Sequence, residues 1–227
     1  MVRVILFDID GTLIRTRGAG TKAFERTFDT EFKLPRATRS LNFAGRTDSS
    51  LVRECFGIHG IEPTPKNFRR FYETYIFWLD ELLQRSGGNS CPGVKECLHD
   101  LGRLADPPLI GLLTGNIRLG AEIKLRHFQL WDFFRMGAFG DDHECRNEIA
   151  KTAQTRARSL LGRKVASEEI LVVGDTPRDI ECGQSIGARV LAVATGEFTK
   201  AQLRMHKPTW LVGDLTQISL SEIARCS

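Results

Sequence analysis

The chain alternates short, almost unbroken apolar runs with longer amphipathic ones. The first run, Val2-Arg3-Val4-Ile5-Leu6-Phe7, stops abruptly at two acids, Asp8 and Asp10. The second, Leu109-Ile110-Gly111-Leu112-Leu113, ends at Thr114-Gly115-Asn116. The third, Ile170-Leu171-Val172-Val173, ends at Gly174-Asp175-Thr176-Pro177-Arg178-Asp179. Runs this short and continuous predict strands buried on both faces, as in a parallel sheet covered by helices. Arg189–Ala194 and Trp210–Val212 predict two further strands, and Met136–Phe139 is a shorter apolar piece. Between them, helical spacing recurs around Val94–Leu104, Leu119–Phe128 and Asn147–Leu161, and again through Cys182 and Ile186. Strands alternating with helices predict an α/β fold with a Rossmann-like, doubly wound parallel sheet.

One segment breaks the alternation. Ala23, Phe24, Thr27 and Phe28 share one helical face. Phe68, Phe71, Tyr72, Tyr75, Ile76, Leu79, Leu82 and Leu83 hold helical spacing over several turns. An aromatic stripe of this kind reads as core and not as a binding surface. Gly18 and Gly20 precede the segment, Gly87 and Gly88 close it, and the freedom of glycine makes all four candidate hinges. The pattern therefore predicts a core from residues 1–15 and 89–227, interrupted by an all-helical insert at 16–88.

With 227 residues, 41% of them hydrophobic, the chain can bury a sizeable core. No apolar run approaches the roughly 20 residues that span a bilayer, and no signal-like stretch opens the chain. The cysteines at 55, 91, 97, 145, 182 and 226 form no Cys-x-x-Cys pair and read as reduced thiols of a cytoplasmic protein. The net charge of +4 falls in one place: Arg15 to Ser86 holds 13 Lys and Arg against 9 Asp and Glu. This reads either as a solvated surface or as a basic insert facing an anionic substrate. No long basic stripe points to nucleic acid, and no membrane partner is expected. Monomer and homodimer both stay open.

The chemistry collects at the strand ends. In a parallel sheet, Asp8/Asp10, Thr114/Asn116 and Asp175/Asp179 gather on the edge where open α/β sheets bind ligands. Each alone could cap a helix or a turn; three together point to a site. Asp8 and Asp10 lie on the same side of an extended strand and repel, and a hard divalent cation such as Mg²⁺ would relieve that. A carboxylate is a usable nucleophile toward phosphorus, and a second acid can protonate the leaving oxygen.

Asp8-Ile9-Asp10-Gly11-Thr12, Leu113-Thr114-Gly115-Asn116 and Val172–Asp179 resemble, in order, the first, second and fourth motifs of the haloacid dehalogenase-like (HAD) hydrolases. The resemblance covers nearly the whole chain. It implies a Rossmann-like core, and it makes the insert a C1 cap as in phosphoglycolate phosphatase-like members. It implies Asp8 as nucleophile, Asp10 as acid and base, and Mg²⁺ held by Asp8, the Asp10 carbonyl and Asp175, with Asp179 in support. Gly11, Thr12, Thr114, Gly115 and Asn116 would surround the phosphate. The third motif departs from the pattern, which places a Lys at a helix start. Here Arg146 stands at that position and Lys151 lies further along. Arg146 is the favoured phosphate-facing cation, since helix N-termini and Arg both suit phosphate; two solvated charges are the alternative.

Two clusters remain. Asp141, Asp142, His143, Glu144 and Cys145 fit neither zinc nor EF-hand spacing and read as an acidic surface loop. Gly45-Arg46-Thr47-Asp48, expected between two helices, offers Arg46 to a substrate carboxylate or second phosphate, or Thr47 or Asp48 as a plain cap. The implied function is a Mg²⁺-dependent phosphatase acting on a small phosphorylated metabolite through an aspartyl-phosphate. A phosphomutase would keep every motif. A 2-haloacid dehalogenase would not need Asp10 or Asp175, and a non-catalytic relative would not need the acids intact.

Overall fold

The computed structural model describes residues 1–225 of the 227; Cys226 lies outside them. The strands are β1 (Val4–Phe7), β2 (Ile14–Arg15), β3 (Asn89–Ser90), β4 (Leu109–Leu113), β5 (Met136–Ala138), β6 (Ile170–Gly174), β7 (Arg189–Val193) and β8 (Trp210–Val212). The main helices are α1 (Ala19–Phe32), α2 (Asp48–Ile58), α3 (Pro65–Ser86), α4 (Val94–Gly102), α5 (Arg118–His127), α6 (Arg146–Leu161) and α7 (Pro177–Ser185). Six strands form one parallel sheet in the order β5-β4-β1-β6-β7-β8.

The continuous apolar runs have a direct cause. Along β1, Ile5 and Phe7 enter one core cluster with Leu112, Leu171 and Val173. Val4 and Leu6 enter the other, with Leu113, Val172 and Val190, under α6 and α7. Both faces are covered, so each strand position must be apolar. Each fully buried Leu, Ile or Phe contributes roughly 1.5–3 kcal/mol. β1 lies between β4 and β6, with Phe7 level with Leu112 on one side and Val173 on the other. The three polar strand ends therefore meet on one edge.

The insert has a core of its own. Phe24, Phe28, Phe56, Phe71 and Tyr75 pack among α1, α2 and α3, with Phe24 and Tyr75 edge-to-face at 4.9 Å. The stripe on α3 is buried at Phe71, Tyr75, Leu79 and Leu83. At its ends the insert is tied by the antiparallel pair β2–β3, where Ile14 faces Ser90 and Arg15 faces Asn89. Gly88, at φ 139°, passes so near that a Cβ would stand 2.4 Å from the Arg15 carbonyl. Gly20 is not in this connection; it lies in the first turn of α1. Nor does a helix lead directly into Gly45. Residues 33–47 are turns and irregular chain, opened by Lys33 in the left-handed cap of α1 and by Pro35, which turns Leu34 away from helix.

The insert is seated on the core. The Asp48 amide donates to the Gly115 carbonyl at 2.8 Å and the Asp48 carboxylate accepts from the Ile117 amide at 2.9 Å. Ser49 Oγ donates to the Gly140 carbonyl at 2.7 Å, and Arg53 pairs with Glu144 at 2.6 Å. Among the described residues, no helix is long and apolar enough to cross a membrane.

Candidate active site

Asp8 leaves β1 with its amide bonded to the Val173 carbonyl at 2.9 Å. Asp8, Asp175 and Asp179, all buried, bring carboxylate oxygens within 4.8 Å of one another. Asp179 reaches the group as part of the α7 capping box: its Oδ2 accepts from the Thr176 amide at 2.9 Å and hydroxyl at 2.7 Å. One residue thus caps a helix and faces the site. Asp175 accepts from the Thr12 hydroxyl at 2.8 Å. A Cβ on Gly11 would stand 2.4 Å from Asp175 Oδ2, and Gly11 has φ +87°, so only glycine fits.

Arg146, the first residue of α6, donates through Nη2 to Asp8 Oδ1 at 2.7 Å and contacts Asp179 Oδ1 with the same nitrogen. Nη1 reaches the Gly45 carbonyl of the insert at 3.4 Å. Lys151 is not brought to the site: it is exposed on α6 and pairs with Glu148 at 2.7 Å. The amides of Gly11 and Thr12 close the turn onto the Ile14 and Ile9 carbonyls; Gly11 lines the cavity, and the Thr12 hydroxyl supports Asp175.

Burial pushes the Asp8 carboxyl up to about 7, against the pull of Arg146 and aided by Asp179 and Asp10. Burial, with Asp179 and Asp8 beside it, holds Asp175 well above the usual carboxylate range. Burial works against the Arg146 charge, but Asp179 and Asp8 outweigh it and keep the guanidinium protonated. Three buried carboxylates thus lie around one guanidinium, which bonds two of them, Asp8 and Asp179. A hard divalent cation with oxygen ligands fits this donor set and would restore the anions.

Asp10 stands apart. Its Oδ2 accepts from Lys124 Nζ at 2.7 Å and from Asn116 Nδ2 at 2.8 Å, so its side chain is not part of the acid triad. Lys124 also donates to Asn116 Oδ1 at 2.6 Å, and Asn116 Nδ2 to Thr114 Oγ1 at 2.9 Å. Sequence reasoning missed Lys124. The available signal was its place on the buried face of α5 with Ala121 and Leu125, a charge where spacing calls for an apolar residue. Gly115 serves the insert: a Cβ there would stand 2.2 Å from the Arg46 carbonyl.

Of the loop before α2, Thr47 is the N-cap and accepts from the Ser50 amide at 3.2 Å. Arg46 pairs with Glu54 at 2.5 Å. Asp48 is buried, and burial raises it to about 7 although Lys124 pulls the other way. Between insert and core lies a cavity of about 530 Å³, walled by Asp10, Lys124 and Asp175 on one side and Arg46, Asp48 and Tyr75 on the other. In the acidic loop, Asp142 pairs with Arg156 at 2.6 Å and Glu144 with Arg53.

Residues 5–193 match the haloacid dehalogenase-like hydrolase family, and the chain belongs to that family as one of its enzymes. Among curated relatives, the pyrophosphatase PpaX of Bacillus cereus (strain AH820) is 27% identical over 226 residues, covering 96% of this chain and 94% of that protein. A HAD hydrolase of Entamoeba histolytica superposes with a TM-score of 0.75 at 20% identity, over 99% of this chain and 98% of that one. A predicted phosphoglycolate phosphatase from Haemophilus somnus gives 0.72 at 20% identity, over 98% and 97%. These two structures show the shared fold.

Proposed function

We propose that this hydrolase is a Mg²⁺-dependent phosphatase that cleaves a small phosphoric monoester through an aspartyl-phosphate on Asp8. The observation that carries the reading is the buried set of Asp8, Asp175 and Asp179 with Arg146 on Asp8, beside a cavity floored by a second acid, Asp10.

The steps follow from the side chains. An Asp8 oxygen bonds to phosphorus as the bond to the ester oxygen breaks. Asp10 gives its proton to that departing oxygen. A water then bonds to phosphorus, the Asp8–phosphorus bond breaks, and Asp10 recovers a proton from the water. Arg146 holds the Asp8 carboxylate in place and offsets part of its charge. Asp8, Asp175 and Asp179 would hold Mg²⁺, which would supply positive charge to the phosphoryl oxygens. The seated insert keeps bulk water from the intermediate, and Arg46 offers charge to a second anionic group on the substrate once it exchanges Glu54 for it.

Phosphate release from a panel of small phosphate esters and pyrophosphate tests this, with Mg²⁺ and with EDTA. Pyrophosphate belongs on the panel because of the PpaX relatives. Release that requires Mg²⁺ and vanishes in Asp8→Asn supports the reading. Release that survives Asp8→Asn refutes the nucleophile, and no release from any folded sample refutes the phosphatase.

A further inference from the structure

Lys124 has no part in the mechanism above, yet its environment is costly. Its side chain is 4% exposed. Burying an ammonium is expensive, and an apolar residue of similar volume in place of a buried ion pair is often neutral or stabilising. The neighbours on the same face of α5 are Ala121 and Leu125, so packing alone would be met by Met or Leu. The charge is roofed by the insert: a Cβ on Gly20 of α1 would stand 3.4 Å from Nζ.

The ammonium has three donors. One holds Asp10 Oδ2 at 2.7 Å and one holds Asn116 Oδ1 at 2.6 Å. Asn116 Nδ2 returns to the same Asp10 Oδ2 at 2.8 Å and is itself braced on Thr114 Oγ1. Two donors therefore converge on one oxygen of Asp10. Among the described residues, no hydrogen bond reaches the other oxygen, and Asp10 lines the cavity. The arrangement clamps one carboxyl oxygen and leaves its twin for substrate.

We propose that Lys124 is a positioning residue, with Asn116 as its brace: it fixes the Asp10 carboxyl so that the unclamped oxygen meets the leaving-group oxygen. The inference rests on the phosphatase reading. It assigns to Lys124 an effect confined to proton delivery. Esters whose leaving group needs a proton depend on the clamp, and esters whose leaving group departs as a stable anion depend on it far less.

The test compares native protein, Lys124→Met and Lys124→Gln in Mg²⁺ on phenyl phosphate and p-nitrophenyl phosphate. We expect kcat/KM to fall about a hundredfold further on phenyl phosphate, the lower end of what a general acid contributes. The fall lies in kcat more than in KM. Asp10→Asn shows the same split, and adding Lys124→Met to it costs little more, since residues that act as a unit are non-additive. Equal falls on both esters, or none, overturn the proposal. So does a crystal structure of Lys124→Met with the Asp10 carboxyl unmoved. Native protein with no Asp8-dependent turnover of either ester overturns the phosphatase reading and this inference with it. Native turnover with a uniform loss in the variants overturns only the role of Lys124.

Discussion

Asp8 and Asp10 stand two residues apart at the end of one strand, yet they inhabit different chemistry. The Asp8 side chain is 9% exposed, packed against Arg146 and two more acids that arrive from β6 and α7. The Asp10 side chain is 44% exposed, open to the cavity and held by Lys124 and Asn116. Asp8 belongs to the sheet. Asp10 belongs to the seam between sheet and insert, since its partner Lys124 is covered by α1. Environment, not residue type, separates two carboxylates into roles. In the proposed mechanism the Asp8 group binds charge and attacks, and the Asp10 group moves a proton while its orientation is kept.

The sharpest way to break this comparison is to neutralise each acid in turn. Asp8→Asn should lower turnover by on the order of 10⁵-fold, the scale of losing a nucleophile, with circular dichroism unchanged. Asp10→Asn should lose only about 10²–10⁴-fold. Equal losses would erase the distinction. Removal of Arg146 comes next. Arg146→Met leaves Asp8 and Asp179 buried without their cation, which costs about 3–5 kcal/mol of stability. Urea unfolding in EDTA should show the loss, and Mg²⁺ should recover part of it by binding the folded state alone. Undiminished stability in EDTA would mean that the triad is already neutralised by protons.

The Asp8 side of the site was legible from sequence because each of its parts carries a local mark. Each acid closes an apolar run, parallel order does the rest, and Arg146 sits at a helix start. Lys151, five residues on, projects from a different face of α6 at 100° per residue and ends in solvent with Glu148. On the Asp10 side Asn116 was legible in the same way, but Lys124 was not, because it stands inside α5 with no strand end or helix start to mark it. The insert was legible as helices through its aromatic stripe, but not in how it docks. Thr47 and Asp48 both read as caps. The structure gives Thr47 the cap and turns Asp48 to the Ile117 amide. The charge excess of the insert is divided: Arg15, Arg17 and Arg46 line the cavity, while Arg70 and Arg85 pair with Glu31 and Glu81 on the outside.

Asp48 offers a smaller effect that sharpens the seam. Burial, opposed by Lys124, raises its folded pKa to about 7, above the roughly 3.9 of an unfolded aspartate. As pH rises from about 4, the unfolded chain releases this proton first. Folding therefore loses stability progressively up to about pH 7 and no further. Asp48→Asn keeps an acceptor for the Ile117 amide and has no proton to release. In metal-free buffer its stability relative to native should grow across that window by up to about 4 kcal/mol. A constant difference across pH would show that Asp48 stays ionised in the folded protein, and that Lys124 supports it more strongly than burial opposes it.

The smallest expected effect separates the two basic residues of α6. Lys151→Gln removes an exposed charge whose partner, Glu148, is also exposed. Exposed pairs of this kind contribute little, and Lys151 is outside the residues that line the cavity. Turnover should stay within about twofold of native and urea midpoints should coincide, as for most surface substitutions away from special features. The informative comparison is with Arg146→Lys, which keeps a charge at the helix start. The guanidinium there reaches Asp8, Asp179 and the Gly45 carbonyl of the insert together, and a lysine ammonium is a single point charge without that fork. If Arg146→Lys matched native turnover while Lys151→Gln reduced it, the cation that serves Asp8 would have been assigned to the wrong turn of α6.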